Sequence, residues 1–203
     1  PSGGKKWGHY FLPEVGDQVL LAFEQGNIEK PYVIGCVQKD SNSFLSRSVH
    51  EKNQYKKIVT KNGSTIQFDD VEEGNGQKDK ISIYTPDEGH KFILDNEKKQ
   101  ILISDKDGKN QIEMKTETGQ MTVRAEKKIT IQVGDSIEVT LNGSSGTVSI
   151  KCSKCNVDAS GSMNFSSSGS AKLSGGNVSL SASSMLKAES SGVTSISGAP
   201  IKI

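Results

Sequence analysis

Apolar residues in the second half of this chain return on an eight-residue beat. Met121, Ile129 and Ile137 keep that spacing, Val123, Ile131 and Val139 keep it two positions later, and Ala125, Val133 and Leu141 keep it again. Within each unit apolar and polar residues alternate, the signature of a short β-strand with one buried face. A single strand of this kind has nothing to bury that face against, so copies must stack beside it. The period therefore predicts a solenoid or an intertwined β-helix.

The first 45 residues read differently. Val15 to Phe23 and Pro31 to Val37 are expected strands around a turn at Gln25-Gly26-Asn27, with Pro31 tolerated at a strand start. One hairpin is too little for a domain, so residues 1–45 are read as part of a small β-barrel. Residues 46–55 are polar, lack a period and are read as a linker. Residues 56–203 are read as the repeat region. Its early strands are expected at 57–60, 65–68, 80–84, 91–94, 101–104 and 111–114, with turns at Asn62-Gly63, Asn75-Gly76, Asp87-Glu88-Gly89 and Asp107-Gly108. No helix is expected. The chain opens Pro-Ser-Gly-Gly without an initiator Met, which suggests a fragment of something longer.

After Asn142-Gly143 the composition turns to Ser, Gly and Ala, as in a low-complexity tail. Alternation persists there all the same, through Met163/Phe165, Ala171/Leu173, Val178/Leu180 and Leu186/Ala188, and the step of eight returns from 163 to 171 and from 178 to 186. Thin, ordered β structure is the expectation. Two or three inward residues per unit cover one side of a prism, and three chains wound together would close it with few free edges. About 18 strand-sized units at about 5 Å each would give a rod on the order of 90 Å.

The remaining features exclude more than they assert. A formal net charge of +1 argues against a dedicated nucleic-acid binder. A hydrophobic content of 33% is thin for one thick core, and no apolar run is long enough for a membrane-spanning helix. The opening residues do not read as a charged-then-apolar secretory signal, and none is expected. Three cysteines make no disulfide framework. Cys152 and Cys155 have the Cys-x-x-Cys spacing of redox and zinc motifs, yet a separation of three puts them on opposite faces of a strand. Cys152 is expected inward, in line with Val148 and Ile150, and no metal or cofactor is expected. Nucleophile, zinc and phosphate-loop motifs are lacking. The carboxylates Glu14 and Asp17, and the run Asp69-Asp70 with Glu72-Glu73, read as solvated turns rather than a glycosidase pair. Abundant serines without a positioned base are not nucleophiles. The chain is not expected to be an enzyme.

The stretch from Phe11 through Pro13-Glu14-Val15-Gly16-Asp17 to Leu20, with Phe23 to Asn27 and Lys30 to Gly35, closely resembles the VgrG family, the spikes of type VI secretion systems, and the related central spikes of contractile phage tails. Lys61-Asn62-Gly63 through Asp69-Asp70 is similar to the opening of that family's needle. Asn27, Ile28 and Lys30 stand where Asp, Pro and Arg are common. The resemblance implies an all-β chain, with a partial oligosaccharide/oligonucleotide-binding-type (OB) barrel followed by an intertwined trimeric triple-stranded β-helix. That barrel's name describes topology, not a ligand. It further implies a homotrimeric, membrane-puncturing spike that delivers effectors. Its partners would be a PAAR-repeat tip protein, and the tube and hub of the machine through a region preceding the barrel. Assembly would occur in the bacterial cytoplasm, followed by expulsion to the exterior or a target cell. The PAAR-binding surface would be Gly198, Ala199, Pro200, Ile201, Lys202 and Ile203, where alternating Ile201 and Ile203 would leave apolar strand ends needing a cap. The needle core would be Met121, Val123, Ile129, Ile131, Ile137 and Val139. No His-x-His stands near the end, so no tip metal is expected. The alternatives are a phage or phage-like tail spike and a carbohydrate-binding β-solenoid. The latter needs exposed aromatic platforms, and the repeat region offers only Phe165 late in the sequence.

Overall fold

A computed structural model describes residues 3–38 and 43–198. The described chain is nearly all β, built of antiparallel sheets. Two small pairs come first. β1 (Gly3–Gly4) pairs with β2 (Trp7–Gly8), and β3 (Val19–Phe23) pairs with β4 (Pro31–Cys36) across a 3-10 turn at Glu24–Gly26. A register shift at Leu20/Leu21 marks a bulge in the second pair. The expected strand from Val15 starts later, at Val19. Gly16 sits at φ 102°, and a tight turn is closed by the Asp17 N–H on Glu14 O (3.0 Å) and the Glu14 N–H on Asp17 Oδ2 (2.8 Å). Only a residue without a side chain takes that backbone conformation cheaply.

A six-residue helix, α1 (Ser43–Ser48), stands where no helix was expected and runs into the expected linker. Its side chains bond back to its own first carbonyls. Ser46 Oγ and Arg47 Nε donate to Ser43 O, both at 3.1 Å, and Ser48 Oγ donates to Phe44 O at 2.7 Å. So local a device leaves no apolar periodicity to read in the sequence.

A seven-stranded antiparallel meander follows in strict sequence order. Its strands are β5 (Tyr55–Val59), β6 (Thr65–Asp69), β7 (Lys80–Tyr84), β8 (His90–Asp95), β9 (Gln100–Asp105), β10 (Gln111–Lys115) and β11 (Gln120–Arg124). These match the expected strands to within two residues at each end. A second sheet of three antiparallel strands comprises β12 (Lys128–Val133), β13 (Ile137–Asn142) and β14 (Thr147–Lys151).

The eight-residue beat is therefore real, but within this chain it does not mark parallel coils. Met121 lies in β11 of the first sheet, Ile129 in β12 and Ile137 in β13, and β12 and β13 run antiparallel with Ile131 opposite Val139. A strand of about five residues plus a turn of about three repeats every eight whether or not the chain reverses. The period alone is blind to direction.

By contact density the chain divides into two units, one running to Ser153 and the other beginning at Lys154. The second unit contains no strand among its described residues. Thin β structure was expected there; within one chain it forms no ladder. Its described residues make local bonds, such as Gly169 N–H on Ser167 Oγ (3.3 Å), Gly192 N–H on Ser190 Oγ (3.1 Å) and the Lys187–Glu189 ion pair (2.5 Å). A ladder needs a neighbouring strand about 4.8 Å away, and this segment folds none against itself.

Candidate functional site

The registers of the meander assign every side chain to a row and a face. One row runs Ile58, Ile66, Ile83, Phe92, Ile103, Ile112 and Val123. Two residues along each strand, on the same face, a second row runs Lys56, Phe68, Ile81, Leu94, Ile101, Met114 and Met121. Lys56, on the edge strand, is the one polar member. One face of the sheet is thus apolar across all seven strands. The opposite face carries rows such as Lys57, Gln67, Ser82, Ile93, Leu102, Glu113 and Thr122.

The apolar face is the more open of the two. Ile58, Ile103 and Val123 are about half exposed, at 50%, 49% and 51%. No hydrophobic side chain among the described residues is buried, while Thr65, Ser82 and Ser104 on the polar face are. The small hydroxyl residues are shielded by longer neighbours, whereas the aliphatic rows have nothing laid over them. A groove of about 900 Å³ runs along the first apolar row, bordered by Phe11 at one side and Ile129 at the other.

The three-stranded sheet repeats the arrangement. Ile129, Leu141 and Val148 form one apolar row, Ile131, Val139 and Ile150 the next, and Val133 pairs with Ile137 beyond them. The other face carries Thr130, Thr140 and Ser149, with Gln132, Glu138 and Lys151. The six expected core residues therefore fall on apolar faces, but within one chain they are not buried: Met121 is 63% and Ile131 58% exposed, and Ile129 and Val139 are half-buried. Alternation along the strands puts them on one face of each sheet, and among the described residues no surface lies opposite to bury them. Cys152 is half-buried and Cys155 exposed. Of the expected tip residues, Gly198 is exposed, and Ala199, Pro200, Ile201, Lys202 and Ile203 lie outside the described residues.

Apart from Lys56, which pairs with Asp70 at 2.8 Å on the edge strand, the ion pairs of the meander lie on the polar face and in the turns. Lys80 reaches Asp69 at 2.7 Å, and this bond raises the lysine above its ordinary value, with help from the charge of Asp95. Gln67 also bonds Asp69. Lys52 pairs with Glu73 at 2.6 Å, which raises the lysine and lowers the carboxyl, and Lys61 ties the meander to Glu14 at 2.9 Å. Of the acidic residues noted in the sequence, Glu14, Asp69, Asp70 and Glu73 are held in ion pairs. No group of His, Cys, Asp and Glu able to hold a metal ion occurs among the described residues.

Sequence reasoning missed the joint between the sheets. Asn110 Oδ1 accepts the Glu126 N–H (3.1 Å), Asn110 Nδ2 donates to Asp105 Oδ2 (2.6 Å), and Lys109 pairs with Glu126 at 3.0 Å. One side chain thereby holds the residues that leave β11 and enter β12. Nothing in the residue order marks Asn110 out from other turn asparagines.

No curated protein gives a match to the chain. Residues 1–37, which carry β1 to β4, match the model of a family described as the type VI secretion system/phage-baseplate injector OB domain. The N-terminal segment of this all-β chain is related to the injector OB domains of type VI secretion systems and phage baseplates.

Proposed function

We propose that the chain is a structural, non-catalytic spike of a contractile injection machine, working as a homotrimer. The observation that carries this reading is the uncovered apolar face that crosses all seven strands of the meander and recurs on the second sheet. Contiguous apolar surface of this extent marks an interface, and each large aliphatic side chain taken fully out of water contributes about 1.5–3 kcal/mol. Three copies with these faces turned inward make a closed prism, polar outside and dry inside. The segment after Lys154 then gains the strand partners it lacks alone, and its exposed Val157, Phe165, Leu173 and Leu180 gain a core.

The injector relationship of residues 1–37 supports placing this prism in a type VI or phage-like spike. In this reading the partial barrel (1–45) joins, through 46–55, a needle (56–203). A preceding region docks on the hub and tube, effectors travel with the needle, and Gly198 to Ile203 seats a PAAR-repeat tip. The spike assembles in the cytoplasm and is expelled by sheath contraction. Rigidity is the property the function needs, and an intertwined antiparallel prism supplies it.

Absolute mass by light scattering tests the reading. Three times the 21.8 kDa of the chain is expected, retained in cold detergent. A mass of twice the chain would point to two sheets packed face to face, and a monodisperse monomer would remove the spike assembly altogether.

A further inference from the structure

Three Asn-Gly dipeptides lie among the described residues, at Asn62-Gly63, Asn75-Gly76 and Asn142-Gly143. In such a pair the glycine nitrogen, with no side chain to obstruct it, can attack the asparagine side chain. Base removes the Gly N–H proton, the nitrogen bonds to Asn Cγ, and the Cγ–Nδ2 bond breaks. Nδ2 leaves as ammonia after taking a proton from solvent, and a cyclic imide remains. Water then adds to either imide carbonyl and opens the ring to Asp or isoaspartate. No electrons are exchanged with any other species.

The reaction needs a glycine N–H free to be deprotonated and a side chain free to swing onto it. Two of the three sites are held against it. The Gly63 N–H donates to Thr60 O at 2.9 Å. The Gly143 N–H donates to Lys127 O at 2.8 Å, and Asn142 Oδ1 is itself engaged by the Ser144 and Ser145 N–H groups at 3.0 and 3.2 Å. A donated hydrogen bond stabilises the protonated amide and fixes its orientation. Asn75-Gly76 differs. Asn75 is exposed and sits in the left-handed region at φ 50°, and neither its side chain nor the Gly76 N–H has a hydrogen-bond partner among the described residues. The pair is held through the Gly76 carbonyl, which accepts from Asn96 Nδ2 (2.8 Å) and the Asp79 N–H (3.3 Å), and from its flanks by the Gln77 N–H on Gly74 O (3.0 Å); neither arrangement engages the Gly76 N–H.

We propose that Asn75 is this protein's site of spontaneous deamidation, converting to Asp and isoaspartate several-fold faster than Asn62 or Asn142. The new carboxylate adds to a turn that already carries Glu72, Glu73 and Asp79. An isoaspartate also inserts a methylene into the main chain between β6 and β7, next to the carbonyl that Asn96 holds. The exposed product would be a substrate for a methyltransferase that esterifies isoaspartyl carboxyls.

The test is peptide mapping by mass spectrometry of the full chain aged in mildly alkaline buffer, with isoaspartate counted by enzymatic methylation. The same ageing is run on chain unfolded in denaturant. Conversion of the Asn75 peptide several-fold ahead of the other two in the folded protein, comparable rates at all three sites in the unfolded chain, and loss of the methylation signal in Asn75→Gln are the expected results. Equal rates in the folded protein, or Asn62 or Asn142 leading, would overturn the proposal. So would an unchanged ranking after unfolding, because hydrogen bonding of the fold would then not be the cause.

Discussion

Lys80 occupies the middle of a cross-strand row, with Asp69 opposite it on β6 and Asp95 opposite it on β8. The bond to Asp69 raises its pKa above 10.5, so its contribution to stability is fully present below that value and fades as pH climbs through the raised folded value. The side chain is 36% exposed, so solvent screening keeps the pair at about 1 kcal/mol or less. Melting curves of wild type and Lys80→Met are expected to differ slightly at neutral pH and to converge well above pH 10.5; a constant gap would mean that packing of the aliphatic stem accounts for it. Ile131 tests the opposite face. It lies in row with Val139 and Ile150, so Ile131→Asp would bring unpaired carboxylates together wherever this face is covered. Loss of the high-mass species is expected. Thr130→Asp, one residue along and on the polar face, should leave that species intact. A stable assembly of the Ile131 variant would show the inward and outward assignment to be reversed.

Among the elements, the joint between β11 and β12 decides most about how the sheets are arranged. The meander stops at β11 because residues 125–127 leave the ladder, and Asn110 takes over a bond that a pairing strand would have made. Removing it costs about 1 kcal/mol locally, little against a whole fold but enough to free one amide. Asn110→Ala is expected to speed hydrogen exchange at Glu126 while protection in β7 and β8 stays unchanged; slowing or no change at Glu126 would mean that the carboxylate–lysine pair alone holds the joint. Element positions were largely legible in the residue order, because alternation with period two and Asn-Gly or Asp-Gly turns depend on neighbours only. Three things were not. The Val15-Gly16 turn runs straight into the strand residues and reads as their start, α1 is held by serine and arginine bonds with no periodic face, and the joint rests on a contact sixteen residues apart in sequence.

At the scale of the molecule, one chain leaves large apolar side chains exposed along its open face and buries none of them among the described residues, and the described tail beyond Lys154 has alternation without a ladder. Both support the proposal that this part is shaped for copies of itself. The cap belongs to the same scale. Deleting Ile201 to Ile203 is expected to abolish co-sedimentation with a PAAR-repeat protein while the high mass is retained; binding that survives the deletion would move the tip contact elsewhere. What the residue order determined by itself was where strands and turns fall, which face of each strand is apolar, and the eight-residue length of a strand-plus-turn unit. These follow from backbone sterics and from side chains alternating along one strand. Tertiary structure alone decided that successive units reverse rather than coil, that the ladder breaks after β11, and that the polar face is the better shielded one. Strand direction, ladder ends and burial all depend on which distant backbone supplies the hydrogen bonds and which surface lies opposite, and alternation along a single strand carries no record of either.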